Sequence, residues 1–215
     1  MSRPRPYDNS RRTLAAQATR HRIIESARHI LLASGVDGLS IASLARAAGV
    51  SPQTVYNAVG GKQEVVKAVY DTMLAGDEEP VPMSQRPEFL AMGRARSRAE
   101  FARAYASWTS AIYRRVGPLL GVLLAPETAR EPSLAQFAAT IDRERRIGNG
   151  HGIDMMAGVH GLPAGANRER MLDQVWTLTA PEVHDRLVRR CGWTVEEYDE
   201  WLGRELTAVL DAPGA

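Results

Sequence analysis

Apolar residues along this chain recur at intervals of three and four positions, and the two-residue alternation of a half-buried strand is absent from the sequence. The first such stripe, which includes Ile23, Ala27 and Leu31, predicts a helix over residues 13–34. Gly35 is its predicted end, because glycine adopts the positive φ that follows many helices without a Cβ penalty. The period predicts an all-α protein.

Residues 40–62 predict two short helices around a tight turn. Ser40 is a suitable N-cap for the first helix, and Gly49 stops it. Ser51 and Pro52 then restart the chain as N-cap and first helical residue, since proline lacks an N–H that would be unpaired there.

The second of these helices buries Val55 and Val59 in this interpretation. The residues on or near its opposite face carry amide and hydroxyl groups and no carboxylate: Gln53, Thr54, Tyr56 and Asn57. Such groups hydrogen-bond to base edges and to the DNA backbone, so the face suits a surface that meets DNA.

Residues 77–87 hold three prolines and three acids, which predicts a linker and a domain boundary. The predicted organisation is a flexible basic arm at 1–12, a helix-turn-helix domain at 13–76 and a helical domain at 77–215.

In the second domain, the stripe of a long helix runs to Gly117-Pro118, where proline predicts a break or kink. A further helix is predicted over 133–147, and Gly148-Asn149-Gly150 predicts its end. Residues 151–165 are rich in glycine and predict an irregular, mobile connection.

Two capping boxes predict helix starts near the C-terminus, since a threonine followed three residues later by glutamate satisfies two helix N–H groups. Thr179 with Glu182 opens a helix to about residue 190, and Thr194 with Glu197 opens the last helix. A helix over 167–178 precedes both.

The 215 residues suffice for one large or two modest domains, and 44% hydrophobic with 24% charged residues is typical of a globular protein. No apolar run approaches a membrane span, and no apolar segment of a secretory signal follows the basic N-terminus. The single cysteine, Cys191, permits no internal disulfide, as is usual in a reducing compartment. We therefore expect a cytoplasmic protein without a membrane partner.

Charge is distributed unevenly along the chain. Residues 1–76 hold ten basic and five acidic residues, net +5, whereas residues 77–215 hold 17 basic and 20 acidic residues, net −3. Positive charge beside a DNA-reading helix favours phosphate binding. The arginines of the N-terminal arm are candidates for phosphate or minor-groove contacts, or form a solvated tail: Arg3, Arg5, Arg11 and Arg12.

Residues 20–73 resemble the helix-turn-helix domain of the TetR family of transcriptional repressors. The matching residues are Gly35-Val36-Asp37-Gly38-Leu39-Ser40, Ile41, Leu44-Ala45, Ala48-Gly49-Val50-Ser51, Thr54-Val55-Tyr56 and Lys62. The chain departs from the family at Val59-Gly60-Gly61, where the family usually has an aromatic residue and then a Gly-Ser or similar pair. The packing of that aromatic ring is lost here.

The resemblance implies a DNA-binding surface made of Ser43, Arg46, Ser51, Gln53, Thr54, Tyr56, Asn57 and Lys62. Lys62 also has an argument of its own, because a lysine at a helix start opposes the macrodipole unless an anion such as DNA phosphate lies there. The alternative is an indifferent surface lysine.

The C-terminal run from Val175 to Leu202 resembles the ending of a subgroup of TetR regulators from high-GC actinobacteria. In that family, helices near this end pack against their copies, which implies a homodimer. The candidate interface residues are Trp176, Tyr198, Trp201, Leu202 and Leu206. The resemblance also implies a small-molecule effector, for which the candidate pocket residues are Tyr105, Trp108, Ile112, Phe137, Met155, Met156 and Trp176. Aromatic and methionine residues at helical spacing are alternatively plain core.

Catalytic signatures are missing from the sequence: it has no nucleophile elbow, P-loop or dinucleotide fingerprint. His151, Asp154 and His160 match no metal-ligand spacing, so we predict neither a metal nor a cofactor. The sequence predicts a regulator that is not an enzyme, a repressor of a palindromic operator released by a small apolar or amphipathic ligand. The alternatives are a DNA-binding protein without sequence preference and a ligand-processing enzyme.

Overall fold

Helices joined by short turns make up most of the residues that the computed structural model describes, 9–125 and 128–211, and these residues contain no strand. The prediction of an all-α chain is confirmed. The chain divides between Asp71 and Thr72 into two compact units.

The first unit contains helices α1, α2 and α3 and most of α4. Their bounds are Asn9–Ser34, Ile41–Ala48, Pro52–Ala58 and Lys62–Ala75. Helix α1 contacts both α2 and α3, and its buried residues Ile23 and Leu31 join Leu44 and Val55 in the core. Gly35 follows α1 at φ +67°, as the sequence predicted.

Helix α1 begins earlier than predicted. Asn9–Arg12, assigned to the flexible arm, are helical, and the rest of the predicted arm, with Arg3 and Arg5, lies outside the described residues. Of the two arm arginines on this helix, the side chain of Arg12 is exposed. The helical period continues here without an apolar stripe, which is why the pattern did not reveal it.

The second unit contains six further α-helices among its described residues. Helices α5 to α10 span Pro87–Ala91, Arg98–Leu123, Pro132–His160, Arg168–Leu178, Pro181–His184 and Val195–Asp211. A π-helical turn at Asp185–Arg190 follows α9 directly. The most extensive helix pair is α6 with α10, and α6 also contacts α7 and α9, so α6 is the central helix of this unit.

Of the two outcomes predicted at Pro118, a break is wrong, because α6 continues through it to Leu123, and a kink stays a prediction. Proline removes one helix hydrogen bond, and here Pro118 and Arg114, whose carbonyl loses its partner, are both exposed. Val116 and Leu119 beside it are fully buried. Packing on the buried face therefore keeps the helix continuous.

The predicted stop at Gly148-Asn149-Gly150 and the predicted loop at 151–165 are also wrong, since α7 runs unbroken to His160. Gly152 lies against α6, where a Cβ atom would come within 3.2 Å of the Tyr105 Cζ atom. Glycine thus allows close helix contact here, and the helix instead ends at Gly161, at φ +70°.

One of the two predicted capping boxes is present. The Thr194 N–H donates to Glu197 Oε2 (2.7 Å), and the Glu197 N–H donates to Thr194 Oγ1 (3.1 Å). Thr179 forms no such box, because its buried hydroxyl donates to the Val175 carbonyl at the end of α8. Ala180 is the N-cap residue of α9.

The predicted linker is held by an ion pair. Arg86, only 9% exposed, donates to both carboxylate oxygens of Asp77 (2.6 and 2.9 Å). These bonds from Arg86 lower the pKa of Asp77 from 3.8 to about 2. Near it, the Arg115 guanidinium donates to the Leu74 carbonyl (2.9 Å), at the end of α4.

Candidate functional site

Helix α2 and its turn are fixed by contacts between near neighbours. The Ser43 N–H donates to Ser40 Oγ (3.0 Å), and the Ser40 N–H donates to Ser43 Oγ (2.9 Å). The hydroxyl of Ser43, a predicted DNA contact, is therefore engaged inside the protein. Gly49 closes the helix at φ +64°, and Arg46 in its last turn is exposed.

Helix α3 begins as the sequence predicted, with Ser51 as N-cap and Pro52 at its first position. Ser51 Oγ accepts from the Thr54 N–H (3.1 Å), and the two hydroxyls lie 2.8 Å apart. Val55 is fully buried and anchors the opposite side. Ser51 and Val55 together fix which face of α3 is turned to solvent.

The exposed face of α3 carries Gln53, Tyr56 and Asn57, with the Tyr56 side chain 53% exposed. Gln53 Nε2 donates to Asn57 Oδ1 (2.9 Å), one helical turn away. When this Gln53–Asn57 bond is given up, each amide can offer a donor and an acceptor to the edge of an adenine base.

Arg20 supports the other end of α3, and sequence reasoning missed it. Its Nη1 donates to the Ala58 carbonyl (3.4 Å), so a cation from α1 lies at the negative end of the helix dipole. Gly60 follows at φ +125°, where a Cβ atom would lie 2.7 Å from the Glu64 Cβ. Lys62 is the half-buried first residue of α4.

Comparison with known proteins gives the same interpretation. Residues 23–69 match the model of bacterial regulatory proteins of the tetR family. Two regulators from Pseudomonas putida, the HTH-type transcriptional regulator SrpR and the uncharacterized HTH-type regulator TtgW, are each 38% identical over 80 residues. These alignments cover 37% of this chain, 36% of SrpR and 57% of TtgW.

Two solved structures share the fold. A protein from Mesorhizobium loti assigned to the TetR family superposes with a TM-score of 0.65 at 16% identity, over 93% of this chain and 98% of that one. MexZ, a repressor of Pseudomonas aeruginosa, has a TM-score of 0.57 at 22% identity, over 92% of this chain and 97% of its own. Residues 23–69 therefore form a domain of the TetR family. The predicted family is thus confirmed, and all four relatives are described as regulators.

Among the predicted pocket residues, Tyr105 and Trp108 stack with centroids 5.7 Å apart. Phe89, which sequence reasoning missed, meets Trp108 edge-on at 5.3 Å. Met155 lies near Gly93 and is half-buried, as is Trp176. The remaining three are buried: Ile112, Phe137 and Met156.

A buried polar network crosses the same unit. Tyr105 Oη donates to Asn149 Oδ1 (2.5 Å), and Asn149 Nδ2 donates to Thr179 Oγ1 (3.0 Å). The Thr179 carbonyl accepts from Tyr113 Oη and from Arg145 (2.7 Å). Burial raises the pKa of the Tyr105 and Tyr113 phenols, so both remain neutral donors. The network joins α6, α7 and α8.

The predicted interface residues divide into two groups. Tyr198, Leu202 and Leu206 have 0% exposure and belong to the core that α10 forms with α6. A second copy cannot contact them, because they already fill the interior of the protomer. Trp176 and Trp201 are half-buried; Arg146 lies over the Trp176 ring at 5.6 Å.

A cavity of about 440 Å³ lies between the C-terminal half of α6 and residues 181–190, and we call it the α6–α9 cavity. Its lining comprises Tyr113, Gly117, Leu120, Gly121, Leu124, Ala125, Pro181, Glu182, His184, Asp185, Arg186, Arg189 and Arg190. None of the seven predicted pocket residues is part of this lining.

Within residues 9–125 and 128–211, no group of histidine, cysteine and acidic side chains is arranged to hold a metal ion. Asp154, considered above with two histidines, pairs instead with Arg168 through two 2.8 Å hydrogen bonds. No described helix is long and apolar enough to cross a membrane.

Proposed function

We propose that this protein is a sequence-specific DNA-binding repressor of transcription. The observation that carries the proposal is the exposed polar face of α3, held in one orientation by the Ser51 cap and the buried Val55. Amide side chains on a rigid helix are suited to base edges in the major groove. MexZ, which shares the fold, is itself described as a repressor.

Affinity for the DNA backbone is proposed to come from the residues around α3. Lys62 lies at the start of α4, Thr54 lies in the first turn of α3, and Ser51 and Arg46 precede α3. Helix N-termini and cations bind phosphate, and the first 76 residues carry a net charge of +5. Ser43 acts in this proposal by fixing α2.

We infer a homodimer on a palindromic operator, formed through the outer faces of α8 and α10. A two-fold dimer presents two copies of α3 to half-sites one DNA turn apart, roughly 34–36 Å. Ala208 is exposed on α10. Ala208→Arg is expected to give monomers in sedimentation, whereas Ala139→Arg, at an exposed position on α7, leaves a dimer; a dimeric Ala208→Arg variant places the interface elsewhere.

Release from the operator is proposed to follow from binding of a small molecule in the second unit. A ligand that prefers the conformation incompetent for DNA binding shifts the population toward it and lowers operator affinity. Helix α6 is suited to carry this coupling: Tyr113 and Gly117 line the α6–α9 cavity, while Arg115 between them bonds the last turn of α4.

Selection of bound sequences from random DNA, followed by titration of the selected site against a scrambled one, tests the function. We expect an inverted repeat bound at least ~10³-fold more tightly than scrambled DNA at physiological salt. Equal affinity for both, with a steep dependence on salt alone, would instead identify a DNA-binding protein without sequence preference.

A further inference from the structure

We propose that the α6–α9 cavity binds a small monoanionic amphiphile, a carboxylate on a short apolar tail, as the effector of this regulator. The effect of this ligand on DNA binding rests on the proposed function. Binding of the ligand itself depends only on the cavity.

The apolar wall of the cavity suits a short tail. Gly117 and Gly121 lie one turn apart on α6 beside Leu120 and Leu124, and Pro181 faces them. Because these two glycines have no side chains, the side chains of His184 and Arg189 come close to α6 there. The volume of about 440 Å³ falls within the roughly 300–1,000 Å³ of small-molecule sites.

The opposite wall is rich in arginine, because the π-helical turn brings Arg186, Arg189 and Arg190 to the cavity. Asp185 pairs with Arg189 (3.2 Å) and Arg190 (3.0 Å), whereas Arg186 pairs with no acid in the described part of the chain. Three cations therefore face two acids, Asp185 and Glu182. A guanidinium binds a carboxylate through two parallel hydrogen bonds, so the lining selects a single negative charge.

Gly121 is needed for this arrangement. The Arg189 guanidinium lies directly over it, in space that a Cβ atom at position 121 would occupy. Arg189 thereby lies along the edge of the cavity, with 57% of its side chain still exposed. The apolar and cationic walls thus meet at one edge, which matches a ligand that is apolar at one end and anionic at the other.

His184 supplies a polar group that the protein leaves unpaired. It is 7% exposed, lines the cavity, and its Nε2 has no hydrogen-bond partner among the described residues. The ring is held by Tyr113 and Tyr198, each with a centroid distance of 4.9 Å. Leaving a buried polar atom unpaired costs stability. A ligand recovers that cost only if the ring turns so that the head group reaches Nε2, an atom that is fully buried here.

Calorimetric titration of the full chain with octanoate, 1-octanol and octyltrimethylammonium tests the charge requirement, because the three probes share one tail. We expect octanoate to bind at least about tenfold more tightly than the other two. Arg186→Gln is expected to weaken octanoate binding by about tenfold, and Leu124→Trp to weaken it by filling the cavity. Arg170→Gln, at an exposed arginine on α8 outside the cavity, serves as the matched control and is expected to bind like the wild type.

The inference is overturned if octanoate fails to bind at ~1 mM, if the neutral or cationic probe binds equally well, or if Arg186→Gln and Leu124→Trp both bind octanoate like the wild type. Operator titration separates the two proposals. If the protein binds its operator specifically and bound octanoate does not change that affinity, the effector role alone is rejected. Failure to discriminate operator from scrambled DNA rejects the proposed function and leaves the cavity measurement intact.

Discussion

The two units of this protein place their polar groups in opposite ways. Helix α3 keeps Gln53 and Asn57 at the surface, bonded to each other across one turn. Helix α7 buries Asn149, whose partners are Tyr105 on α6 and Thr179, the C-cap residue of α8. Asn57 and Asn149 are both asparagines on helices. Asn57 is available to a partner outside the protein, whereas Asn149 is bonded within the core.

This difference between surface and buried amides separates the residues that recognise DNA from those that stabilise the fold. An amide at the surface loses little when its local bond is exchanged for a bond to DNA, since water or a base replaces the partner. An amide in the core cannot exchange partners without leaving polar atoms unpaired. Changes at Asn149 should therefore affect unfolding, and changes at Gln53 or Asn57 should affect DNA binding alone.

The largest expected effect is on stability. Asn149→Leu removes both network bonds and leaves the Tyr105 hydroxyl unpaired, which we expect to lower the free energy of unfolding by about 2–4 kcal/mol. Denaturant unfolding followed by tryptophan fluorescence measures this, since Trp108, Trp176, Trp193 and Trp201 all lie in the second unit.

The control for this change is Gln136→Leu, the same kind of substitution at an exposed position of α7. It should change the unfolding free energy by no more than about 0.5 kcal/mol. Equal stability of the Asn149 and Gln136 variants would mean that the buried network is not what holds α6, α7 and α8 together.

The second effect concerns recognition. Gln53→Ala and Asn57→Ala are each expected to cost about 1–3 kcal/mol of operator affinity while binding to scrambled DNA stays the same. Fluorescence anisotropy titrations on both DNAs measure the difference. Gln63→Ala, an exposed glutamine on α4, is the matched control. Undiminished discrimination in both α3 variants would remove these amides from base recognition.

The same contrast explains what the sequence could predict. The caps of α2 and α3 were predictable because Ser40 and Ser51 bond residues three positions away. The course of α7 was not, because Asn149 has partners 44 and 30 positions away, and the local Gly-Asn-Gly pattern indicates a turn. Long-range packing overrode local propensity at that point.

The candidate effector site could not be predicted for a related reason. The α6–α9 cavity joins residues from two segments, 113–125 and 181–190, and two glycines form part of its lining on α6. Hydrophobic periodicity identifies buried side chains, so it indicated Tyr105 and Met156, which are core. Periodicity does not identify the space between side chains. It also does not distinguish the π-helical turn that supplies the arginines from an ordinary α-helix.

The smallest expected effect concerns the ion pair of Asp77 with Arg86, which joins neighbouring segments of the chain near the surface. The pKa of Asp77 is lowered from 3.8 to about 2, chiefly by hydrogen bonds from Arg86. Since the folded pKa lies below the ordinary value, the stabilisation is fully present above pH 3.8 and is lost as the pH falls towards about 2.

Asp77→Asn should thus lower the unfolding temperature at neutral pH, and the difference from the wild type should shrink across that window. Asp173→Asn removes one of the two exposed acidic partners of Arg146 and should change the unfolding temperature little at neutral or at acid pH. A gap between wild type and Asp77→Asn that stays constant down to about pH 2 would show that the carboxylate charge is not what stabilises this connection.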